Sequence, residues 1–168
     1  MANETFETPL YVDGEWQQSE SDEHIPVVNP TTEAEIAEVA SATEEEVQRA
    51  TAAAEDAQAA WERRPAKERG DLLREIATVI EANATDLAET LVAEQGKTRE
   101  IAEYEIRAAS DIAQYMSEWD RRIEGDVVPG STSRQSINLL RKPYGVVAGI
   151  IPWNFPISVF VRKFAPAL

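Results

Sequence analysis

The spacing of apolar residues divides the chain into three parts with different predicted structure. The first part contains short extended segments at residues 10–12, 25–28 and 35–39. An Asp-Gly pair at 13–14 follows the first of them, and this dipeptide is a strong hairpin signal. We therefore predict a small sheet, or a set of edge strands, at the start of the chain.

From residue 43 the apolar period changes to that of a helix. Thr43 and Glu46 have the spacing of a capping box. Further helix boundaries are marked by Pro65, Asn83, Gly96 and Thr98. We predict four amphipathic helices over residues 43–123. The glutamates at 44–46 are expected to form a solvated first turn, favoured by the helix dipole.

The last part predicts a strand, a turn and a helix. A break rich in Gly, Pro and Ser at 125–133 precedes an extended, edge-like segment at 135–140. The apolar run 146–151 is typical of a parallel strand buried on both faces. A helix is expected from Pro156 onward. This order is the first half of a βαβ unit, and it indicates an α/β fold.

Composition narrows the possible functions. The 168 residues are 43% hydrophobic and 28% charged, as in a globular domain. The net charge of −15 opposes binding to nucleic acid or anionic lipid. Two interpretations of this charge stay open, an ordinary acidic protein or a protein adapted to high salt, where screening suppresses self-repulsion.

The chain shows no signal of export or membrane insertion. Its first thirty residues have no apolar signal-peptide region, and its longest apolar run is too short to cross a bilayer. We expect a cytoplasmic protein without membrane partners. The chain contains no cysteine, which excludes disulfides, thiolate metal ligands and a cysteine nucleophile within these residues. No metal site is predicted.

The loop after the apolar run is a candidate ligand site. In α/β folds, ligands bind at the carboxyl ends of the parallel strands. Pro152 and Pro156 stiffen the loop around Asn154, and Trp153 and Phe155 can exclude water from its amide. The residues alone leave two hypotheses open: the amide binds a ligand, or it satisfies a local backbone group in a turn.

The Pro-Trp-Asn-Phe-Pro motif at 152–156 resembles the aldehyde dehydrogenase superfamily, together with the residues around it. Upstream motifs extend the resemblance over nearly the whole chain; they lie at 12–16, 28–33, 61–69 and 94–97. The resemblance implies the N-terminal part of that α/β fold, with helices on the start of a Rossmann-like parallel sheet. Residues 1–125 would belong to the cofactor-binding domain, 126–143 to an oligomerisation strand excursion, and 144–168 to the incomplete Rossmann-like core.

The resemblance also implies a chemistry. The amide matching Asn154 forms part of the oxyanion hole, and residues matching Ile150, Ile151, Pro152, Trp153 and Asn154 line the site of NAD or NADP. The family oxidises a small-molecule aldehyde to an acid through a cysteine thiohemiacetal and thioester, as a homodimer or homotetramer. The lactaldehyde and glycolaldehyde dehydrogenase branch is the most similar, although the succinate-semialdehyde and aromatic aldehyde branches share much of the pattern.

The departures from the family are equally informative. The cysteine nucleophile and the general base are missing, so we expect a truncated N-terminal portion that is inactive alone. The alternative is a non-catalytic product that acts as an interaction or oligomerisation module. Three other residues are expected to be non-catalytic: Lys163 a surface charge, His24 a loop residue, and Glu94 part of a structural turn.

Overall fold

The structure is a computed structural model that describes residues 6–168, and within this range the chain begins with five short strands. They are β1 (Phe6–Thr8), β2 (Leu10–Val12), β3 (Glu15–Gln17), β4 (His24–Val28) and β5 (Glu35–Ala40). β5 lies between β1, which is parallel to it, and β4, which is antiparallel. β2 and β3 form a hairpin whose turn residues, Asp13 and Gly14, both have positive φ. The predicted N-terminal strands are confirmed, but His24 lies in β4 and not in a loop.

Four helices follow over residues 43–123, as predicted. They are α1 (Glu44–Arg63), α2 (Ala66–Ala82), α3 (Ala84–Gln95) and α4 (Arg99–Ser117). The hydroxyls of Thr43 and Thr98 accept hydrogen bonds from backbone N–H groups at the N-termini of α1 and α4. Asn83 marks the start of α3, as predicted, but its side chain donates to the carbonyl of Val79 at the end of α2 and does not cap α3.

Helix α4 is the centre of the helical layer. One apolar cluster, made mostly of alanines, joins α4 to α2 and to the last helix. The buried members of this cluster are Leu73, Ala77, Ala109, Ala113, Val161 and Ala165. A second cluster joins α4 to α3 and contains Ala88, Leu91, Ala102 and Ile106. Ile80 and Ile157 contact both clusters. No helix in the described range is long and apolar enough to span a membrane.

Glu46 is buried, so the prediction of a solvated turn at 44–46 is wrong for this residue, whereas Glu44 and Glu45 are exposed as predicted. It is only 1% exposed. Its Oε2 accepts from the Thr43 N–H at 2.7 Å and the Ser19 hydroxyl at 2.8 Å, and its Oε1 accepts from the Glu20 N–H at 2.8 Å. These hydrogen bonds, that from the Thr43 backbone foremost, lower the pKa of the Glu46 carboxyl to about 2. The carboxylate thus ties the start of α1 to the loop before β4.

The last part of the chain contains a hairpin and a helix. After a 3₁₀ turn (Glu118–Arg121), β6 (Asp126–Pro129) pairs antiparallel with β7 (Ser136–Leu139), and α5 (Pro156–Phe164) is the last helix of the described structure. β7 confirms the extended segment predicted at 135–140; β6 was not indicated by the residue pattern, but it lies within the strand excursion at 126–143 that the family resemblance implies. Pro156 is in the first turn of α5, as expected.

The apolar run 146–151 forms no strand, so this prediction is wrong. Residues 143–152 make no backbone hydrogen bond to the other described residues, and Ile150 is 86% exposed. A strand requires a neighbour to satisfy its N–H and C=O groups, and the described chain supplies none here. Apolar composition predicts that a segment suits a sheet, but it does not supply the other strands.

Replacing Glu46 with glutamine should lower the thermal unfolding midpoint near neutral pH. The folded-state pKa of about 2 lies below the ordinary value of 4.5. The ionised carboxylate therefore adds stability that is fully present above pH 4.5 and is lost as the pH falls toward 2. Circular dichroism melts over this range should show a difference that is largest at neutral pH and shrinks with acid.

The matched control is Glu45→Gln, since Glu45 is exposed in the same helical turn. It should change the midpoint little at any pH. A Glu46→Gln difference that stays constant between neutral pH and pH 2 would contradict the role assigned to the ionised carboxylate.

Candidate functional site

The loop at 152–155 leads directly into α5. Phe155 occupies the N-cap position and Pro156 the first helical position. Asn154 is exposed, and its side chain makes no hydrogen bond within the described residues. The amide therefore does not satisfy a local backbone group within the described residues, and its ligand-binding role stays a prediction.

The structure does not gather the predicted cofactor residues into a pocket. Residues 150–153 lie outside the helices and strands; Ile151 is half-buried, while Ile150 and Trp153 are 86% and 83% exposed. A cavity of about 420 Å³ lies elsewhere in the described chain; Trp61, Arg69, Met116 and Trp119 are among its lining residues. The segment presents an open apolar surface, not an enclosed site.

The turn after α3 holds the loop from one side. Gly96 ends α3 with a φ of 65°, a left-handed conformation that glycine adopts without strain. On either side of it, Gln95 Nε2 donates to the Trp153 carbonyl at 2.6 Å, and Lys97 Nζ donates to the Asn154 carbonyl at 3.2 Å. Two consecutive carbonyls of the loop are thus bound by one turn.

A buried carboxylate on α4 holds the other side. Glu105 is fully buried, and its Oε1 accepts from the N–H groups of Ile157 and Ser158, at 2.9 and 3.2 Å, in the first turn of α5. Its Oε2 lies 2.5 Å from Lys97 Nζ. The Lys97 ammonium also lies 4.7 Å from the centre of the Phe155 ring, within cation–π distance.

These three anchoring side chains were not predicted from the sequence. The Glu-Gln-Gly-Lys segment at 94–97 was expected to be a structural turn, which Gly96 confirms, but Gln95 and Lys97 had no predicted partners. A signal for Glu105 was present, because it lies among alanines and isoleucine on the buried stripe of α4. A carboxylate at such a position requires a charged or hydrogen-bonding partner. Lys163 is exposed, as predicted.

The chain belongs to the aldehyde dehydrogenase family, since the model of that family matches residues 16–168. It is 41% identical to lactaldehyde dehydrogenase of Escherichia coli over 160 residues, which are 95% of this chain and 33% of that protein. It is 38% identical over 163 residues to an NADP⁺-dependent D-glyceraldehyde dehydrogenase of Thermoplasma acidophilum, with 97% and 33% covered. The chain thus spans about a third of the length of these relatives.

Solved structures agree with this assignment. The crystal structure of Escherichia coli lactaldehyde dehydrogenase superposes with a TM-score of 0.95 at 40% identity, covering 97% of this chain and 34% of that one. A 3,6-anhydro-L-galactose dehydrogenase, described as a complex with NAP, superposes with a TM-score of 0.92 at 37% identity, covering 96% and 34%. The fold is therefore the predicted N-terminal part of an aldehyde dehydrogenase, of α/β class.

Replacing Gly96 with alanine should destabilise the protein by about 1 to 2 kcal/mol, the usual difference for a left-handed residue that carries a Cβ. The new Cβ would also lie 2.9 Å from Cγ of Pro30, closer than carbon atoms approach without a shift. Chemical denaturation measures the loss. Gly149→Ala is the control, because the nearest atom, Cδ of Lys163, lies 3.8 Å from its Cβ position. Equal effects of the two substitutions would contradict the conformational argument.

Proposed function

We propose that this chain provides the N-terminal segment of an NAD(P)-dependent aldehyde dehydrogenase, which oxidises an aldehyde to a carboxylic acid. The carrying observation is the exposed Asn154 amide, which has no partner in the described residues and is mounted on a backbone bound from both sides. Membership of the family supports the reaction class. In this proposal Asn154 is the catalytic residue of the chain.

Asn154 would act as a fixed hydrogen-bond donor. As a nucleophile adds to the aldehyde carbon, the carbonyl oxygen gains negative charge, and the Nδ2–H of Asn154 donates to it. A donor that is already oriented needs little reorganisation when that charge develops, and this is the basis of oxyanion-hole catalysis. The cysteine that would form the thiohemiacetal and thioester has to come from outside these residues, since the chain contains none.

The segment at 150–153 has surfaces that suit a dinucleotide. Ile150 and Trp153 expose apolar side chains, and the backbone groups of residues 150–152 are not used by the other described residues. Together with Ile151, Pro152 and Asn154, they offer apolar contact and hydrogen bonds of the kind that a nucleoside requires. NAD⁺ or NADP⁺, when bound, accepts the hydride from the substrate.

A small hydroxyaldehyde is the proposed substrate class. Relatives named for lactaldehyde and D-glyceraldehyde, both 2-hydroxyaldehydes, support this choice. Relatives named for glutarate semialdehyde and succinate semialdehyde are 37% identical and represent the competing class. We further propose the division at 1–125, 126–143 and 144–168, a cytoplasmic location, and homodimeric or homotetrameric assembly through the middle segment.

The test of this function uses two proteins. The purified 168-residue chain should not reduce NAD⁺ or NADP⁺ in the presence of lactaldehyde or glycolaldehyde, because it lacks the nucleophile. In a polypeptide that joins these residues to a cysteine-bearing segment, Asn154→Ala should lower kcat about 100- to 1000-fold, the usual effect of losing an oxyanion donor. Aldehyde oxidation by the short chain, or an unchanged kcat in Asn154→Ala, would refute the assignment.

The hairpin supports a second candidate, a non-catalytic interaction module. Every residue of β6 and β7 is exposed, and the exposed apolar side chains here include Val127, Ile137, Leu139 and Leu140. Such strand edges pair readily with other chains. Native mass spectrometry of the 168-residue chain should show dimers or larger species if the hairpin associates, and Val127→Lys should reduce them. A monomer at all concentrations would remove this candidate.

A further inference from the structure

We propose that Gln95, Lys97 and Glu105 are positioning residues that fix the direction of the Asn154 amide. This inference rests on the proposed function, because it gives the three side chains a purpose in orienting an oxyanion donor. None of them would touch the substrate. They act on the backbone before and after Asn154, at Trp153, at Asn154 itself and at the start of α5.

Glu105 fixes where α5 begins. Its carboxylate is fully buried, and burial of a charge is unfavourable unless the charge is paired and hydrogen-bonded. Here the backbone N–H groups of Ile157 and Ser158 and the Lys97 ammonium satisfy both oxygens. An apolar residue could fill the same space among the alanines of α4, but it could not set the first turn of α5. The carboxylate therefore serves to position the first turn of α5 more than to stabilise the fold.

Lys97 links Glu105 to the loop. Its side chain is only 11% exposed, and its ammonium contacts Glu105 Oε2, the carbonyl of Asn154 and the face of the Phe155 ring. A rotation of the Asn154–Phe155 peptide would move the carbonyl away from Nζ and break the hydrogen bond. The direction of the Cα–Cβ bond of Asn154 is thus restrained by a side chain that α4 holds in place.

Gln95 restrains the preceding peptide. Its Nε2 donates to the Trp153 carbonyl at 2.6 Å, so the peptide before Asn154 is bound as well as the one after it. Restraint on both peptides leaves the side-chain torsions of Asn154 as its remaining freedom. Preorganisation of this kind matters because moving a catalytic group by about 1 Å can lower the reaction rate about 100-fold.

The experiment measures backbone order in the 168-residue chain by ¹⁵N relaxation. The double variant Lys97→Met/Glu105→Gln removes both charges together, so no unpaired buried charge remains, and the Gln oxygen can still accept from α5. The order parameters of Asn154 and Phe155 should fall from about 0.85, the rigid value, to below about 0.6. Those of the α4 core should not change.

Two further variants keep the result decisive. Gln95→Met removes one hydrogen bond at a partly exposed side chain, so folding should persist, and it should lower the order parameters at Trp153 and Asn154. Lys67→Met is the matched control, because it removes a lysine from the exposed pair with Asp71. It should leave residues 153–155 unchanged.

Unchanged loop order in the folded double variant, or in Gln95→Met if the double variant unfolds, would overturn the proposal. So would an equal loss of order in Lys67→Met. The kinetic test of Asn154→Ala is independent of these measurements. If that substitution leaves kcat unchanged, the oxyanion role is wrong, and the relaxation data still decide whether the three side chains hold the loop.

Discussion

The ion pair between Glu105 and Lys97 is the interaction on which the candidate site depends. It connects three helices, because Glu105 lies on α4, Lys97 follows the end of α3, and the other carboxylate oxygen binds the first turn of α5. A fully buried carboxylate is tolerated only where its partners are in place. The relative placement of these helices and the charge therefore support each other, and the loop at 152–155 lies where they meet.

The small residues of the core make this arrangement possible. Alanines at the contacts of α4 with α2 and α5, such as Ala77, Ala109 and Ala165, allow close packing of the helices. The Ser110 hydroxyl donates to the Ala77 carbonyl on α2 at 3.2 Å, which also reflects a short distance between the two helices. Close packing brings Glu105 within hydrogen-bonding distance of the α5 backbone. Larger side chains at these contacts would separate the helices and leave the carboxylate without its donors.

Signals that act over a few residues allowed much of the fold to be predicted from the sequence. The Asp-Gly turn, the Thr43 cap and the left-handed Gly96 each depend on residues at most four positions away, so their sequence context defines them. The burial of two glutamates was missed for the opposite reason. Besides its predicted capping-box contact with Thr43, Glu46 binds the Glu20 N–H, 26 positions away, and Glu105 binds the Ile157 and Ser158 N–H groups more than 50 positions away. A single sequence does not specify such long-range partners.

The candidate site was predictable to the same limited extent. Asn154 was identified by the prolines and aromatic residues adjacent to it, whereas only packing brings its anchoring side chains to the loop.

The exposed segment 143–152 connects the described structure to the proposed enzyme. Its apolar composition is typical of a strand in a sheet, yet its backbone has no hydrogen-bond partner among residues 6–168. A parallel strand buried on both faces has these properties when its neighbours are supplied from elsewhere. In the proposed enzyme those neighbours would order the segment, and the loop at its end would already be held by Gln95 and Lys97. In the proposed enzyme, the contacts that hold the Asn154 loop would thus form within this chain, whereas the sheet before the loop would depend on residues outside the described range.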